Sequence, residues 1–203
     1  MKRPPVPADH PIQVYLADAN VLYSRVLRDY LLYSMRAKLI SVAWSEAILE
    51  EMSGHLVDNQ PAFTKASANR LVNAMNTTFP FAQRDPSEAD HLALKDIHLP
   101  DEGDRHVIAA APAADAPFIC THNVKDFPPE IMIQLGLTVI TPDSLLCQLI
   151  CEYQESMRWV HRTSVESLPG ATDESTLDAL RRAGTPRTSG LMAELLDLPW
   201  PQD

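Results

Sequence analysis

The sequence predicts an α/β fold: a central parallel sheet flanked by helices, with a small helical extension at the C-terminus. Three observations lead there. Short apolar runs of strand length alternate with longer segments of helical periodicity. No Asn-Gly or Asp-Gly turn joins any two of those runs into a hairpin. Beyond Pro142 the strand signals stop and only helical patterning remains. At 203 residues, 45% hydrophobic and 22% charged, the chain has the composition of an ordinary globular protein and the length for one good-sized domain with an appendage.

Taken in order, IQVYLA (Ile12–Ala17) reads as a short buried strand with Asp18 at its C-terminal end. The segment NVLYSRVLRDYLLYSMRAK then carries apolar residues at helical spacing. LISVA is a second apolar stretch, followed by Ser45 as N-cap of a helix through Met52, with Gly54 as its stop. Another helix starts at Pro61, and helical patterning resumes over Ser87–Asp96. DRHVIAAA reads as a helix ended near Pro112. PFICT (Pro117–Thr121) and LTVIT (Leu137–Thr141) are the remaining strands. From Pro142 a long amphipathic helix is expected through residue 161, then a linker, then a helix capped by Ser175 and ending near Gly184, and one more over SGLMAELLDL. A boundary near residue 145 separates residues 1–145 from a helical region, 146–203.

Charge narrows the function. The net charge of −10 argues against loose, charge-driven binding of nucleic acid over the whole surface. The distribution is uneven: residues 1–38 hold six bases against three acids, whereas residues 85–104 hold seven acids and one base. An acidic centre beside a basic flank suits a cation-dependent enzyme acting on a polyanion. No apolar run approaches the roughly 20 residues of a membrane span, and the run after the proline-rich opening is too short for a secretory signal, so a cytoplasmic protein is expected. The three cysteines suggest no disulfide framework, with Cys147 and Cys151 read as core thiols.

The stretch LPDEGDRHVIAAA (Leu99–Ala111) crowds Asp101, Glu102 and Asp104 against the start of an apolar helix. Like charges that close raise each other's pKa, so something compensates: a helix N-terminus or a cation. Asp18, Glu46 and Asp126 likewise stand at strand or helix ends, and each alone has a simple reading as a cap, a dipole partner or an Asx-turn residue. Carboxylates from four separate segments suit a hard divalent cation such as Mg²⁺, with Mn²⁺ as a substitute. Such a cluster would orient a water, lower its pKa and offset the charge of phosphodiester hydrolysis. There is no HExxH, no CxxC and no phosphate-binding glycine loop, which argues against zinc and nucleotide chemistry. Arg25, Arg28 and Arg105 are candidates for holding the backbone of a polyanion such as a nucleic acid.

Four blocks, LADANVLYS (Leu16–Ser24), SEAILEEM (Ser45–Met52), LPDEGDRHVIAAA and ICTHNVKDFP (Ile119–Pro128), resemble those of the PIN-domain ribonucleases, most closely VapC-type toxins of bacterial type II toxin–antitoxin pairs. PDSLL and LDALRRAG resemble the helical tail of one such subgroup. The resemblance implies a PIN-like three-layer domain over 1–145. It also implies a metal-dependent endoribonuclease that cuts cellular RNA (tRNA or rRNA) and inhibits translation. Asp18, Glu46, Asp104 and Asp126 match the catalytic acids, of which Asp18, Asp104 and Asp126 are the expected metal ligands. Asp101, Thr121 and Asn123 support them, and Asn123 competes with Asp126 for the fourth position. A cognate antitoxin (VapB-like or another DNA-binding antitoxin) and a homodimer are implied as well. The other reading is a catalytically weak PIN-like module that binds RNA or protein.

Overall fold

The computed structural model describes residues 11–199. Lys2, Arg3 and Asp9 of the basic flank lie outside the described residues, as does most of the proline-rich opening. In chain order the elements begin with β1 (Val14–Ala17), α1 (Ala19–Tyr23), α2 (Arg25–Arg36), β2 (Ser41–Ala43), α3 (Glu46–Asn59) and α4 (Lys65–Thr78). Then come α5 (Glu88–Ala93), a 3-10 turn over Glu102–Asp104, α6 (Arg105–Ala113), β3 (Phe118–Cys120), a second 3-10 turn over Val124–Asp126, α7 (Pro129–Gln134) and β4 (Thr138–Ile140). The last four helices are α8 (Pro142–Glu152), α9 (Gln154–Glu166), α10 (Asp173–Arg182) and α11 (Pro186–Leu195). They form two compact units: Gln13–Tyr23 with Val42–Ile140, and Ser24–Ser41 with the chain from Thr141 onward. The boundary expected near residue 145 falls inside α8, whose unit also takes in α2.

The first unit is built on a parallel four-stranded sheet in the order β2-β1-β3-β4. Register aligns Leu16 with Ile119, and Ile119 with Val139. Leu16, Ala17, Ile119 and Cys120 are wholly buried, the continuous apolar pattern expected of strands covered on both faces. Tyr15 stacks on Phe118 across β1 and β3, ring centroids 4.9 Å apart. The ladder runs one step past the strands, since Asp18 N–H donates to Cys120 O and Thr121 N–H to Ile140 O, both at 3.0 Å. That extra step sets Asp18 and Thr121 side by side at the C-terminal edge of the sheet. Around the sheet, α1 packs on α3, α4 on α3, α5 on α6, α6 on β1 and β3, and α7 on β4.

Several local expectations change. Ser45 caps α3 through Ile48 N–H at 3.2 Å, but the helix runs past Gly54 to Asn59. A single exposed glycine costs about 1 kcal/mol in a helix, less than the burial of Leu56 one half-turn further returns. The helix expected from Pro61 starts after Thr64, whose hydroxyl accepts from Ser67 N–H. Ser24 divides the first long helical segment into α1 and α2, and Tyr153, at φ −131° and ψ 52°, divides the expected C-terminal helix into α8 and α9. The cap of α10 is Thr172, with Ser175 completing a reciprocal capping box. Cys147 is buried as expected, whereas Cys151 is exposed. Among the described residues no helix is long and apolar enough to cross a membrane.

In the second unit α2 packs on α9 and α10, and α11 on α8 and α10. A polar chain, buried at Tyr30 and His161, ties three of these helices: Tyr30 Oη lies 2.5 Å from His161 Nδ1, and His161 Nε2 lies 3.0 Å from Oδ1 of the exposed Asp173. Because the Asp173 carboxylate only accepts, Nε2 donates to it, and Nδ1 of the neutral ring accepts from the tyrosine. Burial holds the His161 pKa below its ordinary 6.5, against the opposing pull of Asp173. The unfolded chain therefore takes up this proton more readily than the folded one. Stability from this group is complete above pH 6.5 and is lost as the pH falls through the folded value.

Tyr30→Phe leaves His161 Nδ1 buried without a donor and is expected to cost about 1–3 kcal/mol, read as a lower urea midpoint at pH 7.5. An unchanged midpoint would show that the chain of hydrogen bonds contributes nothing.

Candidate active site

Asp18 is a carboxylate that a folding chain does not bury without cause: it is 2% exposed at the end of an apolar strand. Its Oδ2 accepts from Thr121 Oγ1 at 2.6 Å and from Asn20 Nδ2 at 2.5 Å. Asn20 also donates to Thr121 Oγ1 at 3.0 Å and accepts His122 N–H at 3.1 Å. Asn123 N–H closes the network on Thr121 Oγ1 at 3.0 Å. Burial nevertheless raises the Asp18 pKa, with the Thr121 hydrogen bond opposing it. Neutral donors orient the carboxylate without cancelling its charge.

Asp104 sits where the 3-10 turn meets α6, at the N-cap position, yet its side chain makes no capping hydrogen bond. Asp101 does the local work instead, accepting Gly103 N–H at 2.8 Å. Asp104 is pushed up to about 6, first by burial and then by Asp18, Asp101, Asp126 and Glu51 in turn. Asp18, Asp104 and Asp126 are thus brought into one field, with Asp101 beside them. Asn123 contributes its backbone N–H to Thr121, and its exposed side chain makes no cap bond. The charge of Asp126 reaches Asp104.

Glu46 is not in this cluster. It lies in the first turn of α3, its N–H donating to Asp85 Oδ1 at 2.6 Å, and it lines the groove between α3 and α4 with Leu49, Asn76 and Gln83. The acid that α3 turns toward Asp18 and Asp104 is Glu51. Five residues apart at 3.6 per turn, the two glutamates point about 140° apart around the helix. Ile48, Leu49, Met52 and Leu56 fill the buried stripe between them. Glu51 lies 3.3 Å from His106 Nε2, a contact that holds its pKa below the usual carboxylate range despite partial burial. His106 in turn is raised above 6.5, chiefly by that contact. Asn20, Glu51 and His106 also border this cluster, and the sequence alone did not single them out. All three sit inside the four quoted blocks, and Glu51 is told from Glu46 by its contact with His106.

The arginines expected to hold RNA are engaged elsewhere. Arg105 donates to Leu94 O at 2.5 Å and Ile97 O at 2.7 Å, and pairs with Glu102 at 2.6 Å. It fastens the acidic loop, and Glu102 is paired rather than merely solvated. Arg28 is 7% exposed, with its pKa lowered by burial. Arg25 is exposed and lies 3.7 Å from Asp29, with Ser167 O accepting from it at 3.3 Å.

A short-stranded parallel sheet with carboxylates at its C-terminal edge defines an α/β domain, and in open parallel sheets ligands bind beyond the C-terminal ends of the strands. The sequence profile of the PIN domain matches residues 14–125, and the chain belongs to that family. It is 32% identical over 110 residues to a protein of Mycobacterium tuberculosis (strain ATCC 25618 / H37Rv) named "Putative ribonuclease VapC50", a match covering 53% of this chain and 60% of that relative. No solved structure was found to match.

Because the folded Asp104 pKa lies above 3.8, its ionised form is penalised on folding, and stability falls as the pH rises from about 4 through 6. Asp104→Asn is therefore expected to raise the melting temperature in EDTA at pH 7.5 by about 2–4 °C. That is the change for roughly 1 kcal/mol in a chain of this length, after discounting for exposure. Little gain is expected at pH 4. A variant no more stable than wild type at pH 7.5 would show that the carboxylates do not repel one another.

Proposed function

We propose that the chain is a divalent-cation-dependent endoribonuclease, the toxin of a type II toxin–antitoxin pair. In this reading it cleaves tRNA or rRNA in the cytoplasm, inhibits translation and acts as a homodimer held in check by a cognate antitoxin. The observation that carries the reading is the buried Asp18 carboxylate, oriented by Thr121 and Asn20 and facing Asp104 with no charge-cancelling donor in its hydrogen-bond network. The likeness to a relative named as a ribonuclease supports the reaction class.

The donor set fits Mg²⁺ or Mn²⁺: hard oxygens from acids and no thiolate. Among the described residues no three His, Cys, Asp or Glu side chains converge as a finished metal cage. Mg²⁺ in proteins keeps several waters and takes one or two carboxylates directly. Asp18 and Asp104 would hold it, with Asp126 and Glu51 facing its waters. Bound there, the cation supplies charge neutralisation at the phosphodiester and a water of lowered pKa. Thr121 and Asn20 keep the Asp18 carboxylate from rotating, and the acidic rim repels RNA phosphate wherever a cation is lacking. An antitoxin presenting an Arg or Lys would compete for the same charge. The division at residue 145 into a nuclease domain and a helical region belongs to the same proposal. A non-catalytic module is the weaker reading, and the charge of Asp126 acting on Asp104 supports the nuclease one.

With Mg²⁺ and a mixed RNA substrate, Asp18→Asn and Asp104→Asn are expected to lower cleavage by more than about 100-fold, and Glu51→Gln by about 10–100-fold, the usual cost of an outer-shell group. Glu46→Gln is expected to stay within about threefold of wild type, a surface change. Cleavage that survives both aspartate substitutions would sink the proposal.

A further inference from the structure

His106 has no part in the reaction as set out above, yet its ring stands between two pieces of the site. Nδ1 is 2.7 Å from Gly103 O, and Nε2 is 3.3 Å from Glu51 Oε2. A carbonyl only accepts, so Nδ1 carries the hydrogen and donates to it. Nε2 is sealed from solvent, and its approach to Glu51 is a close ion-pair contact rather than a well-aligned hydrogen bond. Gly103 belongs to the turn that ends at Asp104, and that turn is tight: a Cβ at Gly103 would stand 3.0 Å from Asp101 Oδ1. The ring therefore bridges α3, which carries Glu51, to the turn that carries Asp101 and Asp104, and α3 packs on α6 in the same place.

We propose that His106 is the positioning residue for Glu51. The ring, anchored on the Gly103 carbonyl, holds the Glu51 carboxylate toward Asp18 and Asp104. A residue that merely filled the space between α3 and α6 would not need one nitrogen bonded to Gly103 O and the other 3.3 Å from a carboxylate. Groups one shell outside a metal site act this way by fixing the orientation of the acid they touch. The consequence for cation binding rests on the nuclease reading above, whereas the bridge between His106 and Glu51 does not.

Two variants separate the nitrogens. His106→Asn keeps a donor where Nδ1 stands and loses the reach to Glu51; His106→Gln keeps that reach. In the full chain, calorimetric titration with Mn²⁺ alone is expected to give a dissociation constant about 10–100-fold weaker for His106→Asn, with His106→Gln recovering most of the loss. In EDTA, His106→Asn is expected to lower the melting temperature by about 2–4 °C, and to lower it by much less when Glu51→Gln is already present. An equal drop in both backgrounds, or Asn and Gln variants that bind Mn²⁺ as wild type does, would overturn the proposal. If wild type binds no Mn²⁺ but the two substitutions remain coupled in EDTA, His106 still positions Glu51 and the nuclease reading is what fails.

Discussion

The structure of the site depends on one buried charge. Asp18 follows the last residue of β1, and the parallel register with β3 leaves its carboxylate no choice of neighbour but Thr121. Two side-chain donors, Thr121 and Asn20, then fix its orientation. Both are neutral, so the charge itself stays in place at a position sealed from water. Taking an unpaired carboxylate out of water is costly. The fold tolerates it because the ladder, the hydroxyl and the amide together offset part of that cost, and an incoming cation would offset the rest.

The acids around Asp18 follow from the same constraint. Asp104 arrives at the start of α6, where the positive end of the helix favours an anion, yet it makes no cap and keeps its oxygens free of the helix. Asp101 holds the turn and Arg105 holds the loop behind it, which leaves Asp104 as the acid with least local work. Residues that serve the fold and residues that serve the site are thus neighbours in sequence with separate tasks. Strain of this kind, here electrostatic, is stored at functional sites and offset elsewhere. The elsewhere is a well-packed interior in which Leu16, Leu22, Ile48, Met52, Ile108 and Ile119 are all essentially inaccessible.

Much of this was legible in the sequence. The alternation of apolar runs with helical segments foretold the parallel sheet, and the carboxylates at strand ends foretold where charge would gather. The charges of Asp18 and Asp126 both act on Asp104. Three acids stand within six residues on α3, and Glu46 and Glu51 flank the buried stripe Ile48–Leu49–Met52–Leu56 on opposite sides, so which of them approaches Asp104 depends on how α3 packs. The breaks at Ser24 and Tyr153 were invisible because the apolar period runs on across both. Arg28 and Arg105 look like surface cations in sequence, since burial and backbone acceptors are properties of the folded chain alone. The role of His106 required the two distances that flank its ring.

The central claim is that the Asp18–Asp104 pair is built to be neutralised by a divalent cation. The most direct measurement is an anomalous difference map from crystals of the full chain grown with Mn²⁺. The account predicts a peak bound by Asp18 and Asp104, with Asp126 and Glu51 facing it through water. A map with Mn²⁺ ordered elsewhere and nothing between these two aspartates, at a concentration that supports RNA cleavage, would contradict it.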